Sequence, residues 1–115
     1  MADPARRLAK PPDASDLLFK ALADPSRRKI LRLLAREEMP LRRIEASFRM
    51  SRPAVIKHIR VLKACRLVRV RREGRRTIHR LNARPLRAVE DWVSHFDRFW
   101  DEGLRRLKRQ VEADA

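Results

Sequence analysis

Residues 49–80 of this 115-residue chain hold twelve Lys and Arg (Arg49, Arg52, Lys57, Arg60, Lys63, Arg66, Arg69, Arg71, Arg72, Arg75, Arg76, Arg80) against one acid, Glu73. Guanidinium and ammonium groups at this density do electrostatic work: they bind phosphate. The block supplies +11 of the formal +15; residues 1–12 and 13–48 give +2 each, and residues 81–115 give zero. Charge so concentrated makes a local field that attracts a polyanion. A face that merely aids solubility is the bland alternative, and it does not explain why the charge gathers in one 32-residue stretch.

The elements that must position these cations can be read from periodicity and caps. Leu17, Leu18, Phe19, Ala21 and Leu22 predict a first helix opened by Asp13 or Ser15. Asp24-Pro25, a capping Asp before a Pro at the first helical position, starts a second helix that ends near Glu37-Glu38. Pro40 begins a short third helix through Leu41, Ile44 and Phe48. Ser51 caps a fourth, on which Val55, Ile59 and Leu62 share one face while Arg52, Ile56, Lys57, Arg60 and Lys63 lie on the other. Leu67–Arg72 and Arg75–Leu81 read as two strands around Glu73-Gly74. Pro85 starts a last helix reaching about Gln110. Its apolar positions Leu86, Val89, Trp92, Val93, Phe96, Phe99, Trp100, Leu104, Leu107 and Val111 form a stripe wider than one small core can cover, so a partner is expected on it. A helix followed by a hairpin, both basic, fits a DNA groove and its flanking phosphates.

Composition narrows the class. The length allows one domain, and 43% apolar residues suffice for a core. One cysteine, Cys65, excludes an internal disulfide framework and fits a reducing cytoplasm. The first twelve residues are charged and Pro-rich, so a flexible basic arm is expected there rather than a secretory leader. No segment is apolar for long enough to span a bilayer, so no membrane association is expected. With two glycines in the chain, no phosphate-cradling Gly-rich loop exists, and no nucleophile–base grouping can be placed. An enzyme is not expected, nor a cofactor.

Three helices, a basic fourth and a hairpin spell a winged helix-turn-helix: mainly α with a small β-hairpin wing. The local words go further. FKALADPSRRKILRLL (19–34), SRPAVIKHIRVL (51–62) and LVRVRREGRR (67–76) resemble the arsenic-repressor (ArsR) family of bacterial transcription regulators over about residues 15–108. The resemblance implies a homodimer held by the first and last helices that binds double-stranded DNA at an inverted-repeat operator, most often as a repressor. By position, Ser51 to Ala64 would be the recognition helix, with Ser51 on a phosphate and Arg52, Ile56, Lys57 and Arg60 facing the groove. Arg71, Arg72, Arg75 and Arg76 would form the wing. The dimer interface would draw on Leu17, Leu18, Val89, Trp92, Val93, Phe96, Phe99, Trp100 and Leu104. Two departures stand out. Ile56 replaces a usual small polar residue and suits a thymine methyl group. Arg66 replaces the Gly that usually ends this helix, which forces a left-handed conformation or a different turn.

Many relatives in that family sense metals. The thiolate type needs a Cys pair on the third helix, which here reads LRRIEASF. The type with paired Asp and His on the last helix leaves only Asp91 and His95 as weak candidates, two ligands where a closed zinc site wants four. No metal is expected, and Asp91/His95 reads as an exposed pair. His58 is expected to be partly buried and hydrogen-bonded, and His79 to pack beside Leu81. Cys65 has basic neighbours that would lower a thiol pKa, yet a lone helix-end Cys more often packs. The Trp92/Phe96/Phe99/Trp100 cluster could hold an unknown effector, although dimer packing explains it better.

The expectation is therefore a cytoplasmic, sequence-specific DNA-binding repressor, with a domain at 13–110 and a tail at 111–115. One alternative is a non-specific architectural DNA-binding protein, because so much charge could drown base readout. Another is a protein-interaction module that uses its last helix.

Overall fold

The computed structural model describes residues 13–114, so the basic arm expected at 1–12 lies outside the described residues. The chain forms two compact units, one ending at Pro85 and one beginning at Leu86.

In the first unit the elements are α1 (Ala14–Leu22), α2 (Pro25–Arg36), β1 (Met39–Pro40), α3 (Leu41–Ala46), α4 (Arg52–Ala64), β2 (Val68–Glu73) and β3 (Arg76–Leu81). Each helix start has a chemical cause. Asp13 and Asp16 cap α1 reciprocally, the Asp16 N–H donating to Asp13 Oδ1 at 2.9 Å and the Asp13 N–H to Asp16 Oδ2 at 3.3 Å. Asp24 Oδ1 accepts from the N–H of Ser26 at 2.8 Å and of Arg27 at 3.1 Å, with Pro25 in the first helical position. The bond from Arg27, opposed by some burial, holds the Asp24 carboxyl below its ordinary pKa. On α4, Ser51 Oγ accepts the Ala54 N–H at 3.3 Å.

The core gathers where the periodicity places it. Ile30 of α2, Ile44 of α3, Val55 and Leu62 of α4, and Leu67 are fully buried. Burial of each such side chain contributes about 1.5–3 kcal/mol. Arginines tie the helices together. Arg27 of α2 donates from Nε to Ala21 O at 2.7 Å and from Nη2 to Lys20 O at 3.1 Å, satisfying carbonyls at the end of α1, and its Nη1 lies 3.5 Å from His58 Nδ1 on α4. Lys29 Nζ donates to Ser47 O at 2.6 Å and sits 4.6 Å from the centre of the Phe48 ring, fixing α2 against the turn between α3 and α4.

The hairpin is not alone. Met39–Pro40, expected only as the entry to the third helix, forms an edge strand, so the sheet has three antiparallel strands in the order β1-β3-β2. Met39 pairs with His79 and Pro40 with Ile78, while β2 pairs with β3 from Val68↔Leu81 to Glu73↔Arg76. Pro is tolerated in β1 because an edge strand can leave one side unpaired. Gly74, at φ +62, provides the positive φ of the two-residue loop; a Cβ there would meet nothing within 4 Å, so conformation rather than space favours Gly.

The second unit corrects the expectation of one continuous last helix. A 3₁₀ turn at Arg84–Leu86 leads into α5 (Arg87–Ser94), and α6 runs over Asp97–Asp114. Ser94 Oγ donates to Asp91 O at 2.6 Å and so competes with the helical ladder. The N–H groups of His95 and Phe96 then donate to Trp92 O and Val93 O, three residues back, which tightens the chain between α5 and α6. Val111–Asp114, expected as a tail, continue α6.

Candidate nucleic-acid interface

Thirteen residues of α4 put Arg52, Ile56, Arg60 and Lys63 along one stripe, because steps of three and four residues return to nearly the same face. Val55, Ile59 and Leu62 on the adjoining stripe are buried and anchor the helix, and Ile59 also lines the groove. The exposed stripe forms one wall of a groove of about 550 Å³. Arg75, Arg76, Thr77 and His79 of the hairpin form the other wall, and Pro40, Leu41 and Arg42 close one end. Arg60, Lys63, Arg72 and Arg75 form no ion pair among the described residues. A cleft with low-dielectric walls and cations on both sides focuses a positive field.

The arginines expected in the wing do not act as one set. Neighbours on a strand point to opposite faces. Arg72 is in register with Thr77, on the groove side; Arg71 is in register with Ile78, on the other side. Arg71 there engages the Glu38 carboxylate through Nη1 and that of Glu73 through Nη2 at 3.2 Å. The bond to Glu38, first among these causes, raises the Arg71 pKa. Arg76 is 3.9 Å from Glu73. Arg71 is therefore already paired, whereas Arg72 and Arg75 are not.

On α4, Lys57 is exposed but stands about 100° around the helix from Ile56 and is not in the groove wall. Ser51 is exposed and serves as the cap, so its hydroxyl proton remains free to donate. Arg52 is less free than its exposure suggests: its Nε lies 3.1 Å from Glu45 Oε1 of α3. Lys63 and Arg42 belong to the groove without having been counted among the site residues. Lys63 could have been added from its spacing to Ile56 and Arg60; Arg42 and the acids Glu38 and Glu45 needed tertiary contacts to be seen.

His79 and Cys65 fall into place as packing residues. His79 is 6% exposed, and burial followed by the nearby charge of Lys63 lowers its pKa from the ordinary 6.5. Cys65 Sγ is 3.5 Å from Leu17 O. Burial pushes the thiol up against the opposing pull of Arg27, the reverse of the shift expected from its basic neighbours. That environment disfavours a reactive thiolate.

Residues 24–70 match the bacterial regulatory protein, arsR family. An HTH-type transcriptional regulator of Mycobacterium tuberculosis is 33% identical over 87% of this chain and 91% of its own length. The chain belongs to the ArsR family. A second relative, the transcriptional repressor SdpR of Bacillus subtilis, is 33% identical over 76% of this chain and 97% of its own. Among solved structures, a homodimeric winged helix-turn-helix DNA-binding domain from Mycobacterium bovis, described as a possible ArsR-family regulator, superposes with a TM-score of 0.61. It is 29% identical over 84% of this chain and 90% of that one. The winged helix-turn-helix architecture is thus that of the ArsR family, whose named members here are regulators and not enzymes.

Within this ArsR-family chain, the residues expected at a dimer interface divide. Leu18 is 3% exposed and belongs to the core of its own unit, while Leu17 beside it is 47% exposed. In the second unit Trp92, Val93, Phe96, Phe99, Trp100 and Leu104 are all exposed, Trp100 by 61%, and Val89 is half-buried. Trp92 meets Phe96 edge-on at 5.2 Å between ring centres, and Phe96 and Phe99 lie 6.4 Å apart. Asp91 lies within α5, and His95 ends it with Nδ1 3.2 Å from Trp92 O. Among the described residues no three His, Cys, Asp or Glu side chains gather as a metal site would need, and no helix is long and apolar enough to cross a membrane.

Proposed function

We propose that the chain is a homodimeric, sequence-specific DNA-binding repressor that occupies an inverted-repeat operator. The observation that carries this reading is the groove in which Arg52, Ile56, Arg60 and Lys63 of α4 face Arg75 and Arg76 of the wing. An α-helix fits the major groove with its first turns near base edges, and a basic hairpin beside it reaches the flanking phosphates. Arg52 and Arg60 offer forks suited to guanine, and half-buried Ile56 offers an apolar surface suited to a thymine methyl. Ser51 and Lys57 hold phosphates at the helix edge, and Arg72, Arg75 and Arg76 do so from the wing.

The second unit is assigned to dimerisation, because a stripe of exposed Trp, Phe and Leu has the composition of an interface core. The homodimeric state of the M. bovis domain and the repressor role of SdpR support both halves of the proposal by similarity.

The test is selection of random duplex DNA by the full chain at about 150 mM salt, where bulk phosphate attraction is partly suppressed. Enrichment of an inverted repeat is the expected result. Tight binding with no enriched sequence would replace the proposal with a non-specific architectural role.

A further inference from the structure

The pairing of Arg52 with Glu45 carries an inference about specificity that rests on the proposed DNA-binding role and deepens it. Arg52 is the first residue of α4, the end of a recognition helix that comes nearest the base edges. Its side chain is 69% exposed, yet its Nε sits 3.1 Å from Oε1 of Glu45 on α3. The Glu45 side chain is only 24% exposed, and Oε1 itself is buried with no aligned hydrogen-bond donor. At 3.1 Å the contact is an ion pair whose N–H does not yet point at the oxygen. A buried carboxylate oxygen lacking a donor is costly, so it pulls on whatever donor can reach it, and Arg52 is the cation placed to answer.

We propose that Glu45 is a positioning residue that holds Arg52 by Nε and so makes it a guanine-selective contact. A guanidinium has two edges that can meet guanine O6 and N7 as a fork. The side edge uses Nε and one terminal nitrogen; the end edge uses Nη1 and Nη2. The Glu45 carboxylate, 3.1 Å from Nε, repels a guanine acceptor that approaches the side edge, which leaves the end edge as the favoured fork; Nη1 and Nη2 make no ion pair among the described residues. The carboxylate also offsets the charge of Arg52, which lowers its attraction for a phosphate anywhere on the duplex. Both effects act in one direction: less affinity for DNA in general and more discrimination at one base pair.

The test compares wild type, Glu45→Ala, Glu45→Gln, Arg52→Ala and the Glu45→Ala/Arg52→Ala double variant, each by selection from random duplex DNA. Affinities for the enriched site and for an unrelated duplex are then measured. Arg52→Ala is expected to erase preference at one guanine position, a loss of about 5- to 150-fold in discrimination. Glu45→Ala is expected to reduce preference at that same position while raising affinity for the unrelated duplex. Glu45→Gln keeps the acceptor oxygen and is expected to retain more of the preference than Glu45→Ala. In the Arg52→Ala background, Glu45→Ala should change the preference no further.

A loose or misfolded helix-turn-helix would lower affinity for both duplexes, so the opposite signs separate positioning from mere support. An unchanged base preference in Glu45→Ala, or an equal change in the Arg52→Ala background, overturns the inference and leaves sequence-specific binding intact. If wild type enriches no sequence, the proposed function fails and the inference falls with it.

Discussion

Asn82 donates its side-chain amide to the carbonyl of Arg66 at 2.7 Å, and Arg66 is the one non-glycine residue at positive φ, +61, among those described. The bond clamps the turn where α4 gives way to β2, reinforced by the Leu67 N–H on Leu62 O and the Asn82 N–H on Leu67 O. The clamp holds a conformation that Arg adopts at a cost.

Arg66→Gly is therefore expected to stabilise the chain by about 1 kcal/mol, since Gly takes the left-handed region without Cβ strain. Asn82→Ala is expected to destabilise it by about 0.5–1.5 kcal/mol through the lost bond. Urea titration of both variants checks the signs; a destabilised Arg66→Gly would mean that the Arg side chain contributes more than its backbone costs.

The wing arginines should differ in their salt dependence. Removing Arg75 and Arg76 together is expected to weaken binding to every duplex and to reduce the slope of log K against log salt by about one to two units. Arg71→Ala should change the slope by less than one unit, because Glu38 and Glu73 already occupy its guanidinium. Arg60→Ala should instead cost about 1–3 kcal/mol on the preferred site and relax base preference. Binding isotherms across a salt series separate the three, and an Arg60→Ala loss equal on all sequences would remove its base-reading role.

The apolar stripe of the second unit predicts an oligomeric state. Trp100→Glu places a charge where an exposed aromatic would meet a second copy. The dimer dissociation constant is expected to rise by roughly 30-fold or more, the scale of an interface hot spot, with α4 and the wing still able to bind a half-site. Sedimentation velocity across concentrations reads this directly, and an unshifted dimer would place the interface elsewhere.

Stability should fall in mild acid. The pKa of His79 in the folded chain lies below its ordinary 6.5, first because it is buried and next because Lys63 is near. As pH drops through 6.5 the unfolded chain takes up a proton that the folded chain refuses, so the unfolded state gains. Stability linked to His79 is thus complete above about pH 6.5 and declines below it until the folded-state value is reached. Urea midpoints measured between pH 5 and 8 should show the decline, and His79→Leu should flatten it.

What the sequence determined by itself was the local grammar. Asp24-Pro25 and Ser51 start their helices because a side-chain oxygen must satisfy nearby N–H groups, a requirement met within three residues. The 3.6-residue repeat placed Val55, Ile59 and Leu62 in the core and left Lys57 and Arg60 exposed. Gly74 in the loop was legible for the same reason, since positive φ favours the residue without a Cβ, whereas the left-handed Arg66 was one of two alternatives that the family resemblance raised.

Only tertiary structure decided the rest. Met39–Pro40 is a strand solely because β3 passes beside it, and nothing in two residues can announce a partner about forty positions away. Arg71 and Arg72 look alike in the chain, yet the pleat sends one to Glu38, 33 residues distant, and the other to the groove side. Leu17 and Leu18 are equally apolar, and the packing of α1 buries one and exposes the other. Glu45 was invisible as a partner of Arg52 until α3 and α4 were folded together. Short-range chemistry fixes where elements begin and which face is apolar; which charges meet depends on contacts whose chain separation no local pattern encodes.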